Sequence, residues 1–167
     1  WDKDDKKPVG EVTAVMSPED ENDAAMKELL AQAGFPLFFP QDVLEAAAEL
    51  PVILDEAEIA KRRDCRDIKT FTIDPVDAKD FDDALSIRKL PSGLYEIGVH
   101  IADVSYYVLP DTDLDAEAYK RATSVYLPDR VNPMLPEKIS NELCSLRPNE
   151  DKFTFSAIFQ INDEAHV

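Results

Sequence analysis

Apolar and polar residues follow two rhythms along this chain. From Asn22 to Ala33 the apolar positions Met26, Leu29 and Leu30 share one face of a 3.6-residue repeat, and Gly34 stands where that helix would stop. Gln41 to Leu50 predicts a second helix, and Asp55 with Glu58 makes a capping box for a third that ends near Arg63. Between the first two, FPLFFP at 35–40 is a stiff apolar connector suited to packing on a core. The rhythm then changes to two. Lys69 to Asp74 reads as a strand, and Ala84 to Leu90 and Leu94 to Asp103 read as two more, joined by the hairpin signal Pro91-Ser92-Gly93. Thr112, with Asp115 at the reciprocal position, caps a helix whose apolar face is Leu114, Ala118 and Ala122. Ser124 to Leu127 is extended, and Pro133 and Pro136 bracket Met134 and Leu135. Glu137 to Leu143 is a short helix, and Phe153 to Ile161 alternates as a final strand before a turn at Asn162-Asp163. Near the start, VGEVTAVM from Val9 to Met16 alternates as a strand.

The length of 167 residues suits one domain, or one domain with a fragment of another, and 44% hydrophobic content is enough for a core. No run is long and apolar enough to cross a bilayer, and no signal peptide opens the chain. Cys65 and Cys144 lie far apart without the neighbours that a zinc site needs, so buried thiols in a reducing cytoplasm are expected. The net charge of −17 opposes a nucleic-acid reading, because phosphate backbones call for a basic face. Its distribution softens that objection. Residues 1–60 hold fifteen acids and four bases, a net of −11; residues 61–167 hold twenty acids and fourteen bases, a net of −6.

Five of the later acids fall in one stretch. Asp74, Asp77, Asp80, Asp82 and Asp83 fall within ten positions with only Lys79 to offset them, so solvent, protonation or a cation must relieve their repulsion. Three readings compete. A solvated acidic loop is the plainest. A helix-loop-helix calcium site requires a central Gly and a terminal Glu, and neither is present. The third is a set of hard oxygen ligands for Mg²⁺ or Mn²⁺, favoured because Phe71, Ile73, Phe81 and Leu85 interleave with the acids and would anchor them in a core.

The strings TFTIDPVDAKDFDDALSI, GVHIADVSYYV, ATSVYLPDRVNPMLP and NELCSLRPNEDKFTFSAIF, taken in order, resemble the opening part of the catalytic domain of the ribonuclease II and ribonuclease R exoribonucleases, with the ribonuclease R branch the closer match. The resemblance implies an α+β fold: a truncated N-terminal part of a ribonuclease II-type catalytic domain, with a mixed or antiparallel sheet and helices. It also implies three segments. Residues 1–16 would end a cold-shock-type barrel, residues 17–65 would be a helical linker, and residues 66–167 would open the catalytic domain. The family's four catalytic aspartates fall on Asp74, Asp80, Asp82 and Asp83. Asp74 and Asp83 would ligate the metal directly, and Asp80 would help hold the metal and its water. Asp82 would position a second metal or the attacking water. Asp77 lies outside the aligned four. The implied cofactor is Mg²⁺, with Mn²⁺ able to substitute.

Tyr126 matches the family's tyrosine that packs on the 3′-terminal nucleotide; a strand tyrosine in a core is the plainer reading. His100 lies on the apolar strand GVHIAD and is expected to be structural, as is Asp103 at its end. The implied activity is 3′-to-5′ hydrolysis of single-stranded RNA to nucleoside 5′-monophosphates. The family also draws an arginine and a glutamate from beyond Val167, so the partners expected are an RNA 3′ end and the rest of the same polypeptide. The chain alone is expected to have little activity, and no membrane partner is expected. Two other classes compete: a catalytically dead RNA-binding relative, and an acidic metal-binding or interaction module.

Overall fold

The computed structural model describes residues 21–164 together with Val12, His166 and Val167. The strand expected from Val9 to Met16 therefore lies, apart from Val12, outside the described residues. The chain divides into two compact units, one running to Phe38 and the other covering Phe39–Val167.

In the first unit, helix α1 spans Glu21–Gln32. It stops as the sequence predicts. Gly34 adopts φ 81°, its N–H donates to Ala31 O at 3.1 Å, and Phe35 N–H donates to Leu30 O at 2.9 Å. This is the left-handed C-terminal turn that glycine favours. Leu30 is buried, but Leu29, expected on the same face, is 54% exposed.

The second unit holds a helical cluster and a sheet. Helix α2, Gln41–Glu49, buries Val43 and Ala47; helix α5, Asp113–Arg121, buries Leu114. Together with Ala102, Tyr107, Leu135, Ile139, Leu143 and Cys144 they form one core, against which Phe39 of the connector packs. The face of α5 departs from expectation. Ala122 is exposed at φ 64° and ends the helix, while Glu117 and Arg121 are buried as an ion pair at 2.9 Å. The Arg121 guanidinium lies 3.6 Å from the centre of the Phe39 ring, so a paired cation occupies a position that small apolar residues were expected to fill. Cys144 is buried as expected, whereas Cys65 is only half-buried.

Helix α3 is shorter than predicted, Glu56–Ile59. Asp55 accepts from Ala57 N–H at 2.9 Å, but Glu58 turns to Lys61 at 3.0 Å and Arg62 at 2.9 Å, so its carboxylate is spent on those two cations. A further short helix, α4 at Val104–Tyr107, follows the strand that ends at Ala102. The segment after Pro136 is a π-helix, Lys138–Leu143, closed by Cys144 N–H donating to Ile139 O at 2.8 Å.

The main sheet is antiparallel, in the order β1-β2-β3-β6: Thr70–Phe71, Asp83–Lys89, Tyr95–Ala102 and Thr154–Ile161. The hairpin turns at Gly93, whose φ of 90° suits glycine. Strand β1 is much shorter than the Lys69 to Asp74 strand expected, and its register gives the reason. Phe71 pairs with Leu85, so two more pairs would bring Ile73 opposite Asp83, and a third would set Asp74 opposite Asp82. Like charges directly across a ladder are destabilising, and the chain leaves the sheet before they meet. A second small sheet pairs β4, Val125–Tyr126, with β5, Val131–Asn132.

Opposed residues in an antiparallel sheet share a face. One face carries Ser86, Gly98 and Ile158 in one row and Ala84, His100 and Ser156 in the next. The other carries Leu85, Val99 and Ala157, flanked by Ile87, Ile97 and Phe159 and by Asp83, Ile101 and Phe155.

Candidate active site

The acidic stretch is the connection from β1 to β2, and Asp83 is the first residue of β2. The apolar neighbours expected to anchor it do so only in part. Phe81 and Leu85 are half-buried, but Phe71 is 43% and Ile73 is 82% exposed. Backbone hydrogen bonds do the anchoring instead. Ser145 Oγ donates to Lys79 O at 2.7 Å and accepts from Phe81 N–H at 3.1 Å. Leu146 N–H donates to Phe81 O at 2.8 Å, and Ala102 N–H donates to Asp82 O at 3.0 Å. Upstream, Ala78 N–H closes a turn on Pro75 O at 3.1 Å. The second half of the loop is thus tied to β3 and to the segment that follows the π-helix.

Asp82 feels its neighbours. The Asp82 carboxyl is pushed above its ordinary range, first by burial and then by the charges of Asp80, Asp83 and Asp74. Each acts by disfavouring the ionised form. The other three acids selected in the sequence, Asp74, Asp80 and Asp83, thus all bear on Asp82, and Asp77 is not among the charges that act on it.

Tyr126 joins this group from a different element. Its hydroxyl donates a short hydrogen bond to Asp80 Oδ2, although the residue is 62% exposed. That bond to a carboxylate comes first, followed by burial and the charges of Asp80 and Asp82, in pushing the phenol up to about 12. The ring is not a core residue. It presents an exposed aromatic face beside the acids, the kind of surface on which a base can stack.

His100 stands apart from the cluster's chemistry. It is buried, with Nδ1 at 2.7 Å from Ser156 Oγ and Nε2 at 2.7 Å from Ser86 Oγ. Burial, and then the Arg63 charge, lower its proton affinity. Gly98 makes room for it. A Cβ there would fall 2.4 Å from Ser86 Oγ and 2.5 Å from His100 Nε2. Asp103 is also buried. It accepts from Ser105 Oγ at 2.6 Å and pairs with Arg62 at 2.7 Å. Burial alone would raise its carboxyl, but Ser105 and Arg62 outweigh that and hold it below its ordinary range.

Arg62 and Ser145 are the residues that the sequence reading passed over. Arg62 binds Glu58 and Asp103 and lies 4.4 Å from the centre of the Phe153 ring, joining α3 to the end of β3 and the start of β6. Its signal was faint: an arginine in a basic run, four residues after Glu58. Ser145 carried no signal, because a serine beside Cys144 and Leu146 has no periodic meaning.

Carboxylate oxygens are the donors that Mg²⁺ and Mn²⁺ prefer, and the four aspartates fit such an ion by donor chemistry. Among the described residues, no three Asp, Glu, His or Cys groups converge at metal-ligating distance, and Asp80 is engaged by Tyr126.

The acid-bearing loop hangs from an antiparallel sheet, with an exposed tyrosine beside it. The RNB domain matches residues 62–167, and the chain belongs to that family. Ribonuclease R 1 of Lactococcus lactis is 47% identical over 158 residues, covering 95% of this chain and 19% of that protein. The structure of Mycoplasma genitalium RNase R in complex with double-stranded RNA superposes with a TM-score of 0.77 at 32% identity, covering 84% of this chain and 25% of that one. A protein of Arabidopsis thaliana named inactive exonuclease DIS3L2 is 40% identical over 168 residues, covering all of this chain and 16% of its own length. The chain thus spans about a fifth of the length of the curated relatives it matches.

Proposed function

We propose that this chain supplies the carboxylate centre of a 3′-to-5′ exoribonuclease that releases nucleoside 5′-monophosphates from single-stranded RNA. The observation that carries the reading is that Asp74, Asp80 and Asp83 all bear on Asp82, with the exposed Tyr126 bound to Asp80. Family membership supports it. Asp74 and Asp83 would hold a divalent cation, with Asp80 assisting and Asp82 orienting the attacking water. Mg²⁺, with Mn²⁺ able to substitute, would neutralise charge on the phosphoryl oxygens. Burial and the neighbouring charges make the Asp82 carboxyl hold a proton more tightly than an ordinary carboxylate does. Tyr126 would stack on the last base without reading its identity, worth about 1–3 kcal/mol.

The proposed organisation keeps residues 1–16 as the end of a cold-shock-type barrel, 17–65 as a linker and 66–167 as the opening of the catalytic domain. The remainder of that domain in the same polypeptide would complete the site and bring the basic surface this acidic chain lacks. The proposed setting is the cytoplasm. Among the described residues, no helix is long and apolar enough to cross a membrane.

The second reading is a catalytically dead RNA-binding relative, favoured by the similarity to a protein whose name declares it inactive. Asp82→Asn in the full-length protein separates the two. The nuclease reading expects RNA affinity within about twofold of wild type and a cleavage rate lowered by about 100-fold or more. A dead relative would cleave in neither form. Tyr126→Phe sharpens the tyrosine's role: it keeps the ring and removes the Asp80 hydrogen bond, so RNA affinity should hold, whereas Tyr126→Ala should weaken it.

A further inference from the structure

We infer that Ser145 is a positioning residue for the aspartate loop, acting through the peptide groups on either side of Asp80; the inference rests on the proposed metal-dependent reaction. Ser145 is fully buried. Its single hydroxyl works in both directions, donating to the carbonyl of Lys79 at 2.7 Å and accepting from the amide of Phe81 at 3.1 Å. Those are the carbonyl just before Asp80 and the amide just after it, so one oxygen atom fixes the backbone from which the Asp80 carboxylate projects.

The next residue extends the grip. Leu146 N–H donates to Phe81 O at 2.8 Å, one peptide from Asp82. Asp82 is in turn held through its carbonyl by Ala102 N–H at 3.0 Å. From the other side, Tyr126 holds the Asp80 carboxylate itself. The backbone around Ser145 has its own supports: Cys144 N–H donates to Ile139 O at 2.8 Å and Arg147 N–H to Ser145 O at 2.9 Å. The hydroxyl is therefore spent on the loop, not on the turn that carries it. A carboxylate set that must converge on a small hard cation tolerates little play, because Mg²⁺ demands near-ideal geometry. Residues that orient ligands without touching the metal are typically worth about 10- to 100-fold in metal affinity or activity.

The test uses the full-length protein with Ser145→Ala, Ser145→Cys and, as a control for plain loss of stability, Ser156→Ala. Mn²⁺ binding is measured by calorimetry on the RNA-free protein, the Mg²⁺ half-saturation of cleavage on a labelled oligonucleotide, and RNA affinity in chelator. For Ser145→Ala we expect about 10-fold weaker Mn²⁺ binding and a raised Mg²⁺ half-saturation, with RNA affinity within about twofold. Ser156→Ala should lower Tm and leave both metal constants unchanged. Ser145→Cys keeps the volume and weakens both hydrogen bonds, so it should show the same metal shift in a smaller degree, and it decides the matter if the alanine variant does not fold. Unchanged metal constants in a folded Ser145 variant of an active enzyme would overturn the inference alone. A wild-type protein that shortens no RNA in Mg²⁺ would overturn the functional reading on which it rests, a result distinguishable from the first.

Discussion

On one face of the main sheet Ser86, Glu96 and His100 are buried; on the other, Phe155 is 79% exposed, Ile101 47%, Phe159 41% and Ile87 40%. The polar face is closed and the apolar face is open. The closed face is possible because its polar groups have partners: His100 sits between two serine hydroxyls, and Glu96 binds Arg63 at 2.6 Å and Arg88 at 2.9 Å. Buried polar groups are tolerated when they are paired. The open face has the opposite problem. It leaves large apolar side chains of three neighbouring strands in water. On this sheet, burial follows the availability of partners more closely than hydrophobicity alone.

The sharpest way to break that contrast is to crowd the closed face. Gly98→Ala should cost about 2 kcal/mol, because the added methyl must displace the Ser86–His100 hydrogen bond. A urea midpoint unchanged from wild type would mean that this face is not tightly closed. Acid should attack the same face next. His100 is held below its ordinary proton affinity, so as pH falls through the usual imidazole range the unfolded chain takes up a proton that the folded chain resists, and stability drops. His100→Gln should flatten that part of the stability profile, read by thermal melting at a series of pH values.

The aspartate loop should respond with the opposite sign. Asp82 is raised above its unfolded value, so its ionisation penalises the fold, starting as pH rises past the ordinary carboxylate range and complete above the raised value. Asp82→Asn should therefore raise Tm slightly at neutral pH, a gain that fades in acid. The smallest effect belongs to the open face. Phe155→Ser should change stability by no more than about 0.5 kcal/mol, checked by the same urea titration. A large loss would show that Phe155 is held by contacts its exposure does not reveal.

Much of the fold was legible because local signals agree with it. Gly34 ends α1, Thr112 accepts from Asp115 N–H at 3.3 Å at the start of α5, and the Pro91-Ser92-Gly93 turn joins two strands within a residue of the predicted limits. The acids of the loop stand out by density, while the roles proposed for them and for Tyr126 come only from the family resemblance. What could not be read depends on distant partners. The buried Glu117–Arg121 pair needs Phe39 to cover it, and β1 stops short because of charges across the register. The Ser145 hydroxyl gains its meaning from a loop more than sixty residues away in sequence. The Thr112 box is also only half realised, since Asp115 accepts from Asp111 N–H at 3.0 Å, beyond the reciprocal position.

The most direct measurement is a time course on single-stranded RNA labelled at its 5′ end, in Mg²⁺ and then in chelator, comparing the full-length protein with this 167-residue chain. The account predicts a ladder that shortens stepwise from the 3′ end in Mg²⁺ alone, produced by the full-length protein and not by the chain. Intact RNA in every lane, or shortening that persists in chelator, would contradict the claim that these aspartates form a metal-dependent exoribonuclease centre.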